Sequence, residues 1–238
     1  MPNHTVTIGV QARSTSTRLP NKINAQIGSR KLLDHVLDSC KKATLYLNNW
    51  NTKSIIAETF LLIPKGDPIK DRFNNIWASI EGDEHDVLSR YVNLQKWQKS
   101  AFIVRVTGDC PLIPSFVISK MITLAVMNNY DYVSNVDERV RTAPDGFDCE
   151  VVSKRMLAWL DENAKSKEDR EHVTLLARRE FPDYYKQACM INYMDLSGIK
   201  LSVDTNDDLT RVIEEYIRVE KKVHLANKIF GKSAVHRV

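Results

Sequence analysis

Hydroxyl and cationic side chains cluster in one short segment near the start of the chain. The segment runs from Gln11 to Lys22 and holds three cations, Arg13, Arg18 and Lys22, beside four consecutive hydroxyl residues. A nucleoside triphosphate carries several negative charges and is bound by donors of this kind. The segment is not a Walker A loop, because the pattern G-x-x-x-x-G-K-[ST] is absent. A solvated basic loop is the alternative interpretation.

Two aspartates follow segments that are predicted to be strands. Asp109 comes after the apolar run 102–106, and Asp204 comes after the run 200–203. If the two strands lie near each other, both carboxylates would converge on one metal ion, and Mg²⁺ favours a few carboxylates together with phosphate oxygens. Each aspartate also has a structural interpretation, Asp109 as a turn residue and Asp204 as a helix cap.

A third group of polar side chains lies at 167–172, where five charged residues precede His172. Such a run is usually the solvated face of a helix. His172 by itself is a weak candidate for catalysis. The four cysteines show neither a CxxC pair nor the spacing of metal ligands near a histidine, so we expect free thiols in a reducing cytoplasm.

Strands and helices alternate along the chain. Apolar runs predict strands at 6–10, 54–57, 60–63, 76–80, 102–106, 130–136, 147–152, 187–193 and 200–203. Helical spacing predicts helices at 31–47, 86–98, 115–127, 154–163, 168–180 and 206–227. This alternation is typical of an α/β fold with a mostly parallel, doubly wound sheet. Ligands of such sheets bind outside the carboxyl ends of the strands, which is where the 11–22 segment and Asp109 are expected.

Composition excludes several classes of protein. The chain has 238 residues and a net charge of +4, without the dense basic stripe of a nucleic-acid binder. No stretch of 18 apolar residues exists, so we expect no membrane-spanning helix. The first residues lack a basic flank before their short apolar run and are expected to form a strand rather than a signal peptide. A single domain in the cytoplasm is the resulting expectation.

Several segments, taken in order, resemble one known family. The opening 11–22 segment is similar to the QARxxSTRLPxK opening of the spore coat polysaccharide biosynthesis protein F family, which is related to the synthetases of CMP-Kdo and CMP-sialate. Further similar segments follow in the family's order, at 84–91 (EHDVLSRY), 105–113 (RVTGDCPLI), 134–135 (SN), 144–151 (PDGFDCEV), 169–174 (DREHVT) and 203–209 (VDTNDDL).

The resemblance implies a fold and an activity. The fold would be a Rossmann-like nucleotidyltransferase core in one domain, residues 1–238, with a small inserted subdomain at about 137–195 that serves dimerisation. The activity would be Mg²⁺-dependent transfer of CMP from CTP to a sugar or sugar acid, with release of pyrophosphate, for surface polysaccharide or glycoconjugate synthesis. A homodimer is expected, with neither nucleic acid nor membrane as a partner.

The resemblance also implies roles for individual residues. Arg18, Lys22 and Asp109 would be catalytic, and Asp109 and Asp204 would bind the metal. The nucleotide would be bound by Gln11, Ala12, Arg13, Ser16, Thr17, Arg18, Lys22, Thr107 and Gly108. The acceptor would be bound by Asn135, Asp145, Asp148, Glu150, Arg170 and His172.

Two positions depart from the family pattern. Thr15 and Asn21 stand where the family usually has glycine, a residue that tolerates positive φ. The loop is therefore expected to close differently on phosphate, and the segment 47–59 also lacks the usual family pattern. Three alternatives stay open: a nucleotide other than CTP, a non-sugar acceptor such as a phosphonate or an alcohol phosphate, and a nucleotide-binding module that has lost catalysis.

Overall fold

The computed structural model describes residues 4–49, 55–73 and 76–230. Within these residues seven strands form one sheet, in the order β5-β4-β1-β6-β8-β7-β9, and two short strands form a separate hairpin. The strands are β1 His4–Gln11, β2 Gln26–Ile27, β3 Arg30–Lys31, β4 Ile55–Pro64, β5 Ser79–Gly82, β6 Phe102–Thr107, β7 Tyr132–Ser134, β8 Cys149–Ser153 and β9 Gln187–Cys189. The hairpin pairs β2 with β3.

Helices connect most of the strands. They are α1 Leu32–Asn49, α2 Ile69–Phe73, α3 Val87–Gln98, α4 Ser115–Asn128, α5 Lys154–Asn163, α6 Lys167–His172, α7 Leu175–Arg179 and α8 Asn206–Phe230. None of these helices, as far as the structure describes them, is both long and apolar enough to cross a bilayer.

The central strand β1 determines where the sheet presents its ligand edge. Every residue from 6 to 10 is buried, as expected for a strand covered on both faces. β1 runs parallel to β4 and β6, and Gln11 at its end lies between Leu62 and Thr107. The carboxyl ends of β4, β1 and β6 therefore share one edge. With β5 also parallel and β8 antiparallel, the prediction of a mostly parallel α/β sheet is confirmed.

Two apolar clusters cover the two faces of the sheet. Helices α1 and α4 pack in one cluster, and α3 and α5 pack in the other. Ile103 and Val104 are neighbours on β6 but belong to different clusters, because successive side chains of a strand point to opposite faces. The sheet is thus doubly wound, and its loops are left to form a site at the carboxyl edge.

The predicted helix 168–180 is wrong as a continuous element. It is interrupted between α6 and α7, where Val173 has a φ of 61°. The break places the Val173 side chain in the apolar cluster with α3 and α5, and it allows the Thr174 hydroxyl to donate to Glu150 over 2.6 Å. Burying these two side chains stabilises the protein more than a continuous helix over this segment would.

The predicted strand 200–203 is also wrong, since its only β pairing among the described residues is an isolated bridge from Lys200 to Asp145, which lies outside the strands of the sheet. Its backbone bonds to loops instead: Leu201 N–H donates to Asp145 O, and Val203 N–H donates to Asp109 O over 2.9 Å. The strand predicted at 187–193 ends at Cys189, and those at 54–57 and 60–63 form the single strand β4. Residues 50–54 lie outside the described part of the chain.

Candidate active site

A cavity of about 360 Å³ opens at the carboxyl ends of β1 and β6. All nine residues predicted to bind the nucleotide line it: Gln11, Ala12, Arg13, Ser16, Thr17, Arg18, Lys22, Thr107 and Gly108. Asp109 and Asp204, predicted to bind the metal, line it as well. The structure therefore brings three segments that are far apart in the chain to one place.

The two aspartates meet at a single nitrogen atom. Lys22 Nζ donates to Asp109 Oδ2 over 2.9 Å and to Asp204 Oδ1 over 3.1 Å. Its third hydrogen bond goes to the Val203 carbonyl over 2.7 Å. Arg18 adds a bond to Asp204 Oδ1 over 2.9 Å, although the Arg18 side chain is largely exposed. The ammonium of Lys22 is thus fully bonded between two carboxylates.

A tight turn after β6 positions Asp109. Gly108 N–H donates to Gln11 O over 2.8 Å, which brings the turn against the end of β1. A Cβ at Gly108 would lie 2.9 Å from the Ala12 Cβ and from Gln11 O, closer than side chains pack. Only glycine fits at this position, so the sequence Gly-Asp directs the Asp109 carboxylate into the cavity.

The Asp204 carboxylate can line the cavity because other residues cap α8. Thr205 Oγ1 accepts from Asp208 N–H, and the Asp208 carboxylate accepts from the backbone N–H groups of Asp204 and Thr205. This reciprocal arrangement is a capping box. The cap interpretation of Asp204 is therefore wrong, and its side chain bonds to Lys22, Arg18 and Lys200 instead.

Mutual attraction keeps Lys22 and Asp109 ionised. Burial favours the neutral acid, but the Lys22 ammonium outweighs it and holds the pKa of Asp109 below its usual range. Burial likewise favours the neutral amine of Lys22, but Asp109 and Asp204 outweigh it and raise the Lys22 pKa. Both partners are charged at neutral pH.

The donor set at this pair fits Mg²⁺. Two carboxylate oxygens lie within 2.9 and 3.1 Å of one atom, and both are hard ligands. Among the described residues no group of three or more His, Cys, Asp or Glu side chains could hold a metal ion. A cation here would therefore take its remaining ligands from phosphate and water, as Mg²⁺ commonly does. The metal itself stays a prediction.

The amide of Gln11 has a fixed orientation. Its Oε1 accepts from Tyr91 Oη over 3.2 Å and from Arg105 Nε over 3.1 Å. Arg105 is held in turn by Glu150, whose Oε2 lies 2.6 Å from Arg105 Nη1. Because Oε1 is used by two protein donors, the Nε2 group of Gln11 is left to donate to a ligand.

The loop 11–22 accommodates both departures from the family pattern. Asn21 has a left-handed backbone with φ 58° and ψ 26°, which is the conformation that glycine or asparagine adopts most easily. Thr15 keeps a negative φ, and its hydroxyl donates to Glu84 Oε1 over 2.6 Å. The loop therefore closes onto the start of α3 through the Thr15 side chain.

Sequence comparison identifies relatives over nearly the whole chain. Residues 7–50 match the model of the family described as "Cytidylyltransferase". "Uncharacterized protein MJ1063" of Methanocaldococcus jannaschii is 33% identical over 222 residues, which cover 92% of this chain and 84% of that protein. The spore coat polysaccharide biosynthesis protein SpsF of Bacillus subtilis is 28% identical over 209 residues, 84% of this chain and 81% of the relative.

This chain belongs to the cytidylyltransferase family. Among solved structures, a cytidylyltransferase from Leptospira borgpetersenii is similar with 26% identity and a TM-score of 0.76, over 92% of this chain and 95% of that one. A second solved structure is the synthetase of CMP-2-keto-3-deoxy-manno-octonic acid in complex with CTP. It shares the fold, with 14% identity and a TM-score of 0.65. The matched region covers 91% of this chain and 99% of the synthetase chain.

Three residues predicted to bind the acceptor lie in the segment between β7 and β8. Asn135 is buried and bonds to the backbone of Phe147 and Cys149, so it holds the segment's shape. Asp145 accepts from Ser202 Oγ over 3.0 Å, and Asp148 accepts from Arg141 over 2.5 Å. None of the three lines the cavity.

The other three predicted acceptor residues are separated by the fold. His172 lines the cavity. Glu150 is fully buried, and its carboxylate accepts from Arg105, Tyr132 and Thr174. Arg170 points elsewhere, to Asp86 and Asp161. An acceptor role for these residues stays a prediction, and only His172 has direct access to the cavity.

Several residues that line the cavity were not predicted from the sequence. They are Ile23, Glu84, Val87, Arg90, Arg105 and Glu171. One signal could have revealed Arg90, because it lies between Leu88 and Tyr91 on the buried side of α3, where a charged residue is unusual. A similar signal marks Arg105, because it is a charged residue inside the otherwise apolar strand β6.

Proposed function

We propose that this protein transfers CMP from CTP to an oxygen of a sugar or sugar acid and releases pyrophosphate, with Mg²⁺ as the cofactor. The observation that supports it most is the convergence of Lys22, Asp109 and Asp204 at the mouth of a cavity lined by a cationic loop. Family membership supports nucleotidyl transfer, and the CTP bound in the related synthetase supports the choice of donor.

The reaction requires positioning and neutralisation of charge rather than a covalent intermediate. The acceptor oxygen forms a bond to the α-phosphorus, the bond from that phosphorus to the bridging oxygen breaks, and the acceptor proton leaves to solvent. Arg18 and Lys22 would bind the triphosphate and stabilise the charge that develops on pyrophosphate. Arg13 would hold the triphosphate in place.

Asp109 and Asp204 would hold Mg²⁺. When bound, this cation neutralises phosphate charge and favours ionisation of the acceptor oxygen. Lys22 would then exchange its bonds to these carboxylates for bonds to phosphate oxygens, since the ammonium offers three donors.

Cys110 takes no covalent part in this proposal. It is buried, and burial together with the charge of Asp109 raises the pKa of its thiol well above the usual value. A neutral thiol is a poor nucleophile. The loop that precedes α8 connects Asp145 with Asp109, because Leu201 N–H donates to Asp145 O and Val203 N–H donates to Asp109 O.

The test is a donor and acceptor screen with two readouts. The protein is incubated with Mg²⁺, each of CTP, UTP, ATP and GTP, and a panel of sugars, sugar acids, phosphonates and alcohol phosphates. We expect pyrophosphate and a CMP conjugate by mass spectrometry only with CTP and a sugar-type acceptor, and no product with EDTA. Transfer from another nucleotide would contradict CTP as the donor. Transfer to a phosphonate or alcohol phosphate alone would contradict the sugar-type acceptor.

Thermal melting separates loss of catalysis from loss of binding. A ligand that binds only the folded state raises the melting temperature. We expect CTP with Mg²⁺ to raise it more than the other nucleotides do. A selective shift without any product would favour a nucleotide-binding module without catalysis.

We also propose a homodimer formed near the edge strand β9. The segment that follows β9 exposes three large apolar side chains: Ile191 and Met194 are more than half exposed, and Tyr193 is fully exposed. Apolar side chains grouped in this way usually contact a partner. Sedimentation equilibrium should show a dimer that the double variant Tyr193→Asp, Met194→Asp dissociates. A monomeric wild-type protein would contradict this part of the proposal.

A further inference from the structure

Arg90 is a buried cation beside the cavity. It projects from the first turn of α3, lines the cavity, and is only 2% exposed. Its two terminal nitrogens donate to the backbone carbonyls of Leu62, over 3.2 Å, and Glu84, over 3.4 Å. Its Nε is buried without any acceptor. A guanidinium has five N–H groups, so most of its hydrogen-bonding capacity is unused.

No carboxylate in the described part of the chain lies within ion-pair distance of Arg90. Arg105 offers a direct contrast, because it lines the same cavity and is paired with Glu150 at 2.6 Å. A buried charge is costly unless it is paired or hydrogen-bonded. Burial is the largest influence on the pKa of Arg90 and lowers it. The groups of the protein around Arg90 therefore compensate its positive charge only in part. A ligand is the natural source of the missing acceptors.

The register of the sheet places Arg90 far from the predicted metal site. Leu62, Gln11 and Thr107 lie side by side on β4, β1 and β6. Two strand spacings, about 10 Å, therefore separate the Leu62 carbonyl from the turn that leads to Asp109. Because the triphosphate is assigned to the cationic loop and to Asp109, the part of the nucleotide that reaches Arg90 is the base.

The surroundings of Arg90 suit a flat, uncharged ring better than a phosphate. Val87 and Ala12 supply apolar lining at this end of the cavity. The carboxylate of Glu84 also lines it and is bonded to Arg13 over 3.3 Å and to the Thr15 hydroxyl over 2.6 Å, so the charge of Arg13 is already balanced at this end. A base carbonyl, by contrast, accepts hydrogen bonds without bringing a charge.

We propose that the Arg90 guanidinium selects cytosine by donating hydrogen bonds to its O2 and N3 atoms. This inference rests on the proposed CTP-dependent function and adds a specificity-determining residue to it. In cytosine, O2 and N3 are adjacent acceptors, and the planar fork of a guanidinium matches such a pair. In uracil, N3 carries a hydrogen and is a donor, so a guanidinium at this position meets a donor and leaves its own N–H group unpaired.

The first test uses the wild-type protein and a modified donor. Isothermal titration with Mg²⁺ compares CTP, UTP and 3-deaza-CTP, in which a C–H group replaces N3. We expect 3-deaza-CTP and UTP to bind about 10- to 100-fold more weakly than CTP, the range for a hydrogen bond to a charged group. Equal affinities for CTP and 3-deaza-CTP would overturn the inference. Because this test uses only the wild-type protein, its result does not depend on whether a variant folds.

The second test changes the residue. Arg90→Lys keeps the charge and loses the fork, and Arg30→Lys, in an exposed pair with Asp38, is the matched control. We expect Arg90→Lys to reduce the ratio of CTP to UTP affinity about tenfold and to leave the affinity for inorganic tripolyphosphate unchanged. Equal weakening of CTP and UTP would show that Arg90 only supports the loop at Glu84, and would overturn the inference.

The two proposals fail in different ways. A wild-type protein that binds none of the four nucleoside triphosphates would overturn the proposed function, and this inference with it. A wild-type protein that prefers CTP, together with an Arg90→Lys variant that keeps the whole preference, would overturn the role of Arg90 and leave the proposed function intact.

Discussion

Lys22 Nζ lies 2.9 Å from Asp109 Oδ2, although 87 residues separate them in the chain. The same nitrogen bonds to Asp204, so one cation joins the basic loop, the turn after β6 and the start of α8. A loop held in this way is ordered before substrate arrives. The contact also places a phosphate-binding ammonium directly beside the carboxylates that would hold Mg²⁺.

Asp109→Asn tests the role of this carboxylate in catalysis. The amide keeps the size of the side chain and an acceptor for Lys22 but removes the negative charge. We expect pyrophosphate release from CTP to fall by at least about 100-fold. Circular dichroism should show an intact fold. Asp38→Asn, at a surface ion pair with Lys42, is the control and should keep its activity; full activity in Asp109→Asn would contradict the metal assignment.

Substitutions at Asn21 test the left-handed backbone of the loop. Asn21→Gly removes the side chain without steric cost, whereas Asn21→Val places a β-branched residue at φ 58°. Both variants lose the bond from Asn24 to Asn21 Oδ1, so their difference isolates the backbone. We expect the valine variant to be less stable by about 1–2 kcal/mol in urea unfolding. Equal stabilities would contradict the left-handed conformation.

Glu150→Ala tests the buried network behind Gln11. The substitution leaves Arg105 without its counter-charge and removes the acceptor for Tyr132 and Thr174. Breaking a buried ion pair from one side costs about 3–5 kcal/mol, and we expect a loss of that size in the free energy of unfolding. Glu162→Ala, at an exposed position on α5, should change it by less than about 0.5 kcal/mol. Similar losses in both variants would contradict this role.

The stability contributed by Asp131 should depend on pH. Burial favours the neutral acid, but bonds from Arg155, from Ser153 and from Lys186 N–H outweigh it and hold the Asp131 pKa below its usual value. A carboxyl whose folded pKa lies below its unfolded value of about 3.9 stabilises the fold above that pH. The contribution disappears as the pH falls through the folded pKa.

Asp131→Asn measures that contribution. At pH 7 we expect the variant to lose about 1–3 kcal/mol of unfolding free energy relative to the wild type. The difference should narrow steadily below about pH 4. Asp71→Asn, at an exposed position, should show a small difference at every pH. A loss in Asp131→Asn that stays constant down to low pH would assign its effect to packing instead of charge.

The sequence by itself determined the local elements that build the nucleotide side of the site. The loop 11–22 lines the cavity as expected because it follows directly from β1, and Asp109 does so because it follows β6. Local patterns also predicted α5 at its observed bounds. Such features depend on residues that are close in the chain, and the spacing of those residues predicts the local structure.

The tertiary structure decided which distant side chains meet. Asp204 reaches Lys22 from a loop that bonds to Asp109 O, not from a strand of the sheet. Arg170 turns to Asp86, and Glu150 is buried behind Arg105, so neither lines the cavity. Arg90 enters the cavity because α3 packs on one face of the sheet, where the Arg90 guanidinium reaches the Leu62 carbonyl of β4. These outcomes depend on packing between elements far apart in the chain, which residue spacing does not specify.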